Sequence, residues 1–502
     1  MAQHIKLDPN SLHTLRTVDP RLMSYNVEMT EITGGTFWKA YTPGQIVGTE
    51  EFPPIADLHN VTAMASLMQW YNPIDLSNEK LRKLAKNFGP VWVRVSGSWA
   101  TKTYYDFDGH TGGKAPEGFQ AVLSKEQWMG VLDFVKAVDG KLLVSVGNCA
   151  GNHPNNGPLD LSQTELLFNF SAGYGVPIAA AEFMNEPNSL AMSGAPMGYT
   201  SADYVRDHDL FNTWVREHYP DCLLIGPCTT GDPLLSGEQK GAGGLGDIMP
   251  SCTTHELMKG AQVKLDVFSY HCYNGCSERL AALFPEGHWG AANAHTDTYL
   301  SVAPGYAMRA SELRDTYVPG GQMWVTESGD AGGGGCTWAS TYLDVLRTLN
   351  ELGSFAAITD GVIFHNTLAS SDYGFLEHGT FNPRPNYFAA LLWNTLMGTT
   401  VLDCGNPNTE GAHIFCHSRQ DGKDGCVYLV INNSLSEVTT VELPKEAEVY
   451  ALAGKDGMRS TVMTLNGREL VLGENNELPE MNGKTVSGIV EVTPGSCAFI
   501  VL

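Results

Sequence analysis

Basic residues are scarce in this chain of 502 residues: Lys and Arg number 31 against 55 Asp and Glu, a formal net charge of −24. A field that acidic repels nucleic acid and anionic membrane, so neither is an expected partner. No basic cluster offsets it, which also makes a densely sulfated polymer a poor match. Apolar runs are short, and none approaches the roughly 20 residues that cross a bilayer. The N-terminal MAQHIKLDPN has no apolar signal core, so the expected location is cytoplasmic, with a trimmed signal as the alternative. The 11 cysteines are scattered, and nothing completes a zinc pattern around Cys272 and Cys276. Free thiols are expected, with no metal and no cofactor. Also missing is a Gly-rich phosphate fingerprint after the first strand, which disfavours an open, doubly wound sheet.

What is present is a beat of short apolar strand, polar loop and amphipathic helix. Strands are expected at Leu22–Val27, Val91–Val95, Leu142–Val146, Ile178–Phe183, Leu223–Gly226, Asp266–Tyr270, Met323–Thr326 and Val362–Phe364. Helices are expected between them, with Ser77 and Ser124 as N-caps of two of them. In the second, Trp128, Val131, Leu132 and Val135 recur at helical spacing. Strands that read as continuous apolar runs are buried on both faces, as in parallel sheets. Eight of them alternating with helices predict an α/β fold, a (β/α)8 TIM barrel, over residues 16–398. Two long irregular stretches interrupt the beat, Thr30 to Asn72 and a glycine-rich excursion ending near Cys252. Near Thr400 the pattern changes to short alternating runs such as HIFCHSR, CVYLVINN and CAFIVL. These predict an all-β sandwich over 399–502, joined by a strand from residues 1–15.

Two glutamates stand at the ends of different barrel strands. Glu186 follows the fourth strand in FMNEPNSL, where Pro187 ends the pairing, and Glu327 follows the seventh. The C-terminal end of barrel strands is the catalytic face. Paired carboxylates without a metal or cofactor motif suggest glycoside hydrolysis: Glu186 as acid/base and Glu327 as nucleophile, the charge on Glu327 keeping Glu186 protonated. Asn185 is placed to hydrogen-bond the sugar 2-hydroxyl. Arg94 and Glu182 are expected to be a buried structural couple. His271 and His365 end strands, where each either lines the pocket or satisfies backbone groups. Trp38 and Trp99 are candidates for sugar stacking or for core packing.

VRVSGSWATKT, EFMNEPNS, Phe268–Tyr273, WVTESGDAGGGG and DYGFLE, in this order, resemble heparanase and its relatives in glycoside hydrolase family 79. The resemblance continues through RELVLGENNELPEMNG in the C-terminal region. It implies a retaining enzyme that cleaves β-glucuronosyl bonds. It matches Glu186 to the acid/base and Glu327 to the nucleophile. Gly333 and Gly334 match glycines whose N–H groups hold the glucuronate carboxylate, and Tyr373 matches a tyrosine that reaches the same group. Tyr273 matches a tyrosine beside the nucleophile, and Glu28 a sugar-binding acid. Ser98 or Thr101, with Lys102, falls in a binding loop.

The chain departs from that pattern in ways that bear on substrate. Gly332 replaces a tyrosine, and no Lys or Arg lies between Leu190 and Thr200 to grip sulfates. The Thr30–Asn72 stretch is longer than its counterpart and leaves the catalytic face, where it could close the cleft beyond one sugar. The expected activity is therefore an exo-β-glucuronidase acting on small glucuronides or unsulfated oligosaccharides. The alternatives are endo action, a β-xylosidase or β-glucosidase of the same clan, and a non-catalytic carbohydrate-binding protein.

Overall fold

A computed structural model of the chain describes residues 3–53, 65–190, 192–236, 251–405 and 408–502. Parts of the two long irregular stretches, residues 54–64 and 237–250, lie outside the described residues. Eight parallel strands close into a barrel in sequential order: β1 Met23–Glu28, β2 Val91–Ser96, β3 Gly140–Ser145, β4 Ile178–Glu182, β5 Leu223–Thr229, β6 Val267–Tyr273, β7 Gln322–Gly329 and β8 Ile363–His365. β8 pairs with β1 to close the ring. Helices follow the strands, from Glu79–Lys86 after β1 to Pro385–Leu396 after β8.

The sequence VWVRVS of β2 shows how the barrel is built. Val91, Val93 and Val95 face outward and join the core shared with the helices. Trp92 faces inward with Leu143, Ala180, Ile225, Val267, Trp324 and Phe364, an apolar plug low in the barrel. The Trp92 and Trp324 rings are 4.9 Å apart. Arg94, two residues on, lies above the plug, and Ser96 tops the strand. Period-two alternation thus stacks an apolar layer beneath a polar one.

Several local expectations change. The helix after β1 is capped by Asn78, whose side chain accepts from the Leu81 N–H at 3.1 Å, while the Ser77 hydroxyl is turned to Asp75. Ser124 does cap the helix Lys125–Ala137, in a capping box with Gln127. β6 and β7 run further than expected: His271, Tyr273 and Glu327 lie inside strands rather than past them.

The C-terminal region packs a nine-stranded sheet against a three-stranded one. In the strand His413–Arg419, Ile414 and Cys416 face the small sheet. Phe415 faces the barrel, crowding Gly353 so closely that a Cβ there would lie 2.3 Å from its ring. N-terminal residues contribute two strands. His4–Lys6 pairs with Thr439–Glu442, and His13–Thr17 pairs with Met397–Asp403. That second pairing carries the sandwich to Thr17, two residues beyond the expected limit of residue 15, and starts it at Met397.

Candidate active site

Glu186 stands four residues beyond the end of β4, and its backbone is left-handed, with φ of 46°. A residue before proline is normally extended, and a non-glycine residue in this region costs about 1–3 kcal/mol. The turn is fastened at its carbonyl, which accepts from the Ser193 hydroxyl at 2.7 Å and from the Ser189 N–H at 3.1 Å. Glu327 projects from β7 opposite His271 of β6 in the ladder. One oxygen of each carboxylate and the His271 Nδ1 all lie within 4.8 Å of one another.

Arg94 is 0 % exposed and ties Glu327 and Asn185 to the scaffold. Its guanidinium meets Glu182 at 3.0 Å, as expected, but it also donates to Glu327 Oε1 at 3.0 Å and to Asn185 Oδ1 at 2.9 Å. The reading of Arg94 as a purely structural couple is therefore corrected: it touches one of the two candidate catalytic carboxylates. Burial alone would lower its proton affinity, but Glu182 and Glu327 hold it charged. Arg94 also reaches His271 Nε2 at 3.3 Å. Since a guanidinium only donates, Nε2 accepts, and the ring proton is assigned to Nδ1. That N–H points at Glu186 Oε1, 2.9 Å away, and at Glu327 Oε2, 3.5 Å away.

The second oxygen of Glu327 accepts from the Tyr273 hydroxyl at 2.7 Å. Burial raises the proton affinity of Glu327, but the His271 ring, Arg94 and the Tyr273 O–H outweigh it and hold the carboxyl below its ordinary value of 4.5. Asn366 organises the tyrosines. Its Nδ2 donates to Tyr273 Oη at 2.8 Å and to Tyr373 Oη at 3.1 Å, while its Oδ1 accepts from Asn26 at 3.1 Å. Tyr273 spends its proton on Glu327. Tyr373 accepts here, which leaves its own proton for the pocket. Glu28 is held well above the ordinary carboxylate range, by burial first and then by the charges of Glu327 and Glu31.

These groups surround a cavity of about 340 Å³. Glu28, Ser98, Lys102, Asn185, Glu186, Tyr273, Glu327, Gly333 and Tyr373 all line it. His271 lies beneath the two carboxylates. Gly334 is not among the lining residues, and Thr101 fails outright: it is fully buried outside the cavity, its carbonyl accepting from the Asn148 N–H, so the loop register favours Ser98 with Lys102. His365 binds the Tyr373 carbonyl at 2.7 Å and stacks on Phe375, which answers its case in favour of the backbone. Trp38 and Trp99 both line the cavity, with Phe37, Met68 and Met192. Asn366 was not read from the sequence, although a polar residue just past β8 was the available signal.

The glycine run is a built wall. Gly333 and Gly334 have φ of 87° and 86°. A Cβ on Gly334 would lie 2.7 Å from Trp38 Cβ, and one on Gly333 2.8 Å from Leu280. The carbonyls are fastened: Gly333 accepts from Ser277 at 3.0 Å and Arg279 at 3.1 Å, Gly334 from the Asp372 N–H at 3.1 Å. The N–H groups of Gly333 and Gly334 have no protein partner among the described residues. The free Gly333 N–H, in the cavity lining with Tyr373, can receive an anion. The Glu186–His271–Glu327 cluster has metal-ligand types, but Nδ1 carries the proton and Arg94 already supplies the cation, so the donor set does not suit a metal ion.

No family model matches the chain. It is 26 % identical over 483 residues to heparanase-like protein 1 of Arabidopsis thaliana, covering 86 % of this chain and 85 % of the relative. It is 24 % identical to baicalin-beta-D-glucuronidase of Scutellaria baicalensis, covering 85 % and 83 %. Among solved structures, a 4-O-alpha-L-rhamnosyl-beta-D-glucuronidase from Fusarium oxysporum superposes with a TM-score of 0.60 over 99 % of this chain and 100 % of that one, at 11 % identity. That last likeness is one of fold.

Proposed function

We propose that this glycoside hydrolase of the heparanase–glucuronidase type is a retaining exo-β-glucuronidase. The observation that carries the reading is the approach of the Glu186 and Glu327 carboxylates to within 4.8 Å. Retaining enzymes hold their carboxyl groups about 5–5.5 Å apart, whereas inverting enzymes need about 6.5–9.5 Å to admit water. In the first step Glu327 attacks the anomeric carbon while Glu186 protonates the departing oxygen. In the second, Glu186 takes a proton from water, which opens the ester on Glu327. Asn185 has its oxygen committed to Arg94 and Ser96, so its amide N–H₂ is the group available to the sugar 2-hydroxyl. The uronate carboxylate goes to Gly333 N–H, Gly334 N–H and the Tyr373 hydroxyl, and Glu28 holds a sugar hydroxyl.

The exo reading rests on the hairpin Gly35–Trp38 with Met68–Tyr71, whose Phe37, Trp38 and Met68 wall the cavity. Lys102 is the one cation among the described lining residues, which gives sulfates little to bind. The test is a panel of nitrophenyl glycosides with the first-formed anomer followed by proton NMR. Glucuronide should be strongly preferred over glucoside and xyloside, and β-glucuronate should form first. The α-anomer would refute retention, equal cleavage of the three would refute the uronate cradle, and internal scission of a glucuronate polymer would refute exo action.

A further inference from the structure

A second cavity, of about 550 Å³, adjoins the catalytic one and shares Trp99 with it. The hairpin forms a common wall. Thr36 and its cross-strand partner Trp70 face the outer cavity, while Phe37, Trp38 and Met68 face the catalytic one. Trp70 is 69 % exposed, a large apolar ring left in solvent at the mouth of a concave site. The far wall comes from the segment carrying Gln120, Ser124 and Gln127. No charged side chain is among the described residues of this lining.

Trp99 also fixes which end of the substrate the outer cavity faces. Lys102 sits 5.0 Å from the Trp99 ring centroid. It packs on Gly194, where a Cβ would lie 2.6 Å from its Cγ, in the loop that follows Glu186. Trp99 therefore belongs to the Glu186 side of the catalytic cavity, the side on which a proton donor meets the departing group.

We propose that the Trp70–Trp99 cavity is a leaving-group subsite for an uncharged sugar ring. Two indole faces suit the C–H faces of a pyranose, and the amide and hydroxyl groups suit its hydroxyls. A lining without charge does not suit a sulfated or uronic ring. The assignment of this ring to the leaving group rests on the glucuronidase reading above.

The test compares wild type with Trp70→Ala on two substrates: glucuronate β-linked to a neutral disaccharide, and 4-nitrophenyl glucuronide. Trp70 stands in solvent, so its removal leaves the core intact. The proposal expects KM to rise about tenfold on the disaccharide conjugate and less than twofold on the aryl glucuronide, with kcat on the conjugate little changed. Equal shifts on both, or none, overturn it. A glucuronide with a polycyclic aromatic leaving group is the third arm: if only that substrate suffers, the cavity takes aromatic aglycones and the sugar assignment is wrong. Should wild type cleave no glucuronide, the glucuronidase reading fails by itself. The cavity is then tested by calorimetric titration with xylotriose and cellotriose. Binding that Trp70→Ala weakens tenfold supports a neutral-sugar site, and absent or unaltered binding overturns it.

Discussion

Replacing Tyr273 by Phe removes one atom from the site and tests its electrostatics directly. The lost hydroxyl donates to Glu327 Oε2 at 2.7 Å and is one of two acceptors for Asn366 Nδ2, which keeps Tyr373 Oη at 3.1 Å. The ring is buried and packs on Tyr373, so phenylalanine preserves the fold. A hydrogen bond to a charged group contributes about 1.5–3 kcal/mol, equivalent to about one to two pH units in the ionisation of the acceptor. The bond favours ionised Glu327, so its loss raises the Glu327 pKa. The acid limb of kcat/KM, which requires the ionised nucleophile, should move up by about one to two pH units. The second chemical step should also slow. In the glycosyl ester Glu327 is neutral, and negative charge returns to it as the ester opens, so a donor at Oε2 favours that transition state. With charge return only partial at the transition state, loss of the donor should slow the step by about tenfold to a hundredfold. Stopped-flow release of nitrophenolate from 4-nitrophenyl glucuronide should then show a burst of one equivalent. A folded variant with an unmoved acid limb and no burst would refute this account of Tyr273 and, with it, the nucleophilic role of Glu327.

Four further outcomes follow from the same geometry. Glu327→Gln should abolish turnover on every substrate, while Glu186→Gln should spare nitrophenyl glucuronide far more than an alkyl glucuronide; equal losses would reject the division of roles. Gly334→Ala places a Cβ 2.7 Å from Trp38 Cβ at φ of 86°, and should reduce kcat/KM for nitrophenyl glucuronide at least tenfold relative to the matching glucoside. Arg94→Lys cannot serve Glu182, Glu327 and Asn185 from one ammonium, and urea unfolding should show a loss of about 3–5 kcal/mol. Glu31, whose carboxylate accepts from the Glu28 N–H at 2.7 Å, is raised by burial from 4.5 to about 7. The folded state then binds the proton more tightly than the unfolded chain, so stability falls as pH rises from 4.5 to 7, by at most about 3 kcal/mol. Thermal midpoints of Glu31→Gln, which cannot ionise, should lose that part of the pH dependence.

The barrel was legible because its strands are buried on both faces, so apolar runs of four to six residues stand out against amphipathic helices. Glu186 and Glu327 were legible for a related reason: an acid at the end of such a run has little structural use. Arg94 was misread because VWVRVS says only that the arginine points inward. Its partners lie 88 and 233 positions away, and nothing in the strand distinguishes one buried carboxylate from two. Asn366 escaped because its work is entirely cross-strand, joining Asn26 to two tyrosines. Thr101 and Ser98 could not be separated because a short 3-10 turn over Ala100–Lys102 reorients the loop, burying Thr101 while Ser98 stays at the cavity. Strand ends were placed too early in β6 and β7 because polar functional residues interrupt the apolar run while the ladder continues.

The site poses an electrostatic problem that its construction answers. Glu28, Glu182, Glu186 and Glu327 crowd Arg94 and Lys102, and the whole chain carries −24, yet the proposed substrate brings another carboxylate. A further arginine at the uronate position would compete for Glu327, spreading a charge that must stay on one attacking oxygen. The wall opposite instead offers neutral donors: backbone N–H groups of the glycine run and the Tyr373 hydroxyl, whose proton burial and the charge of Glu327 hold firmly in place. Burial and the neighbouring charges of Glu327 and Glu31 raise Glu28 well above its ordinary range, which disfavours a further negative charge beside the incoming sugar. Neutral, oriented dipoles in the cavity wall stabilise an anion without pairing with the nucleophile. A glycine run is what this solution requires, since a Cβ would meet Trp38 at Gly334 and Leu280 at Gly333.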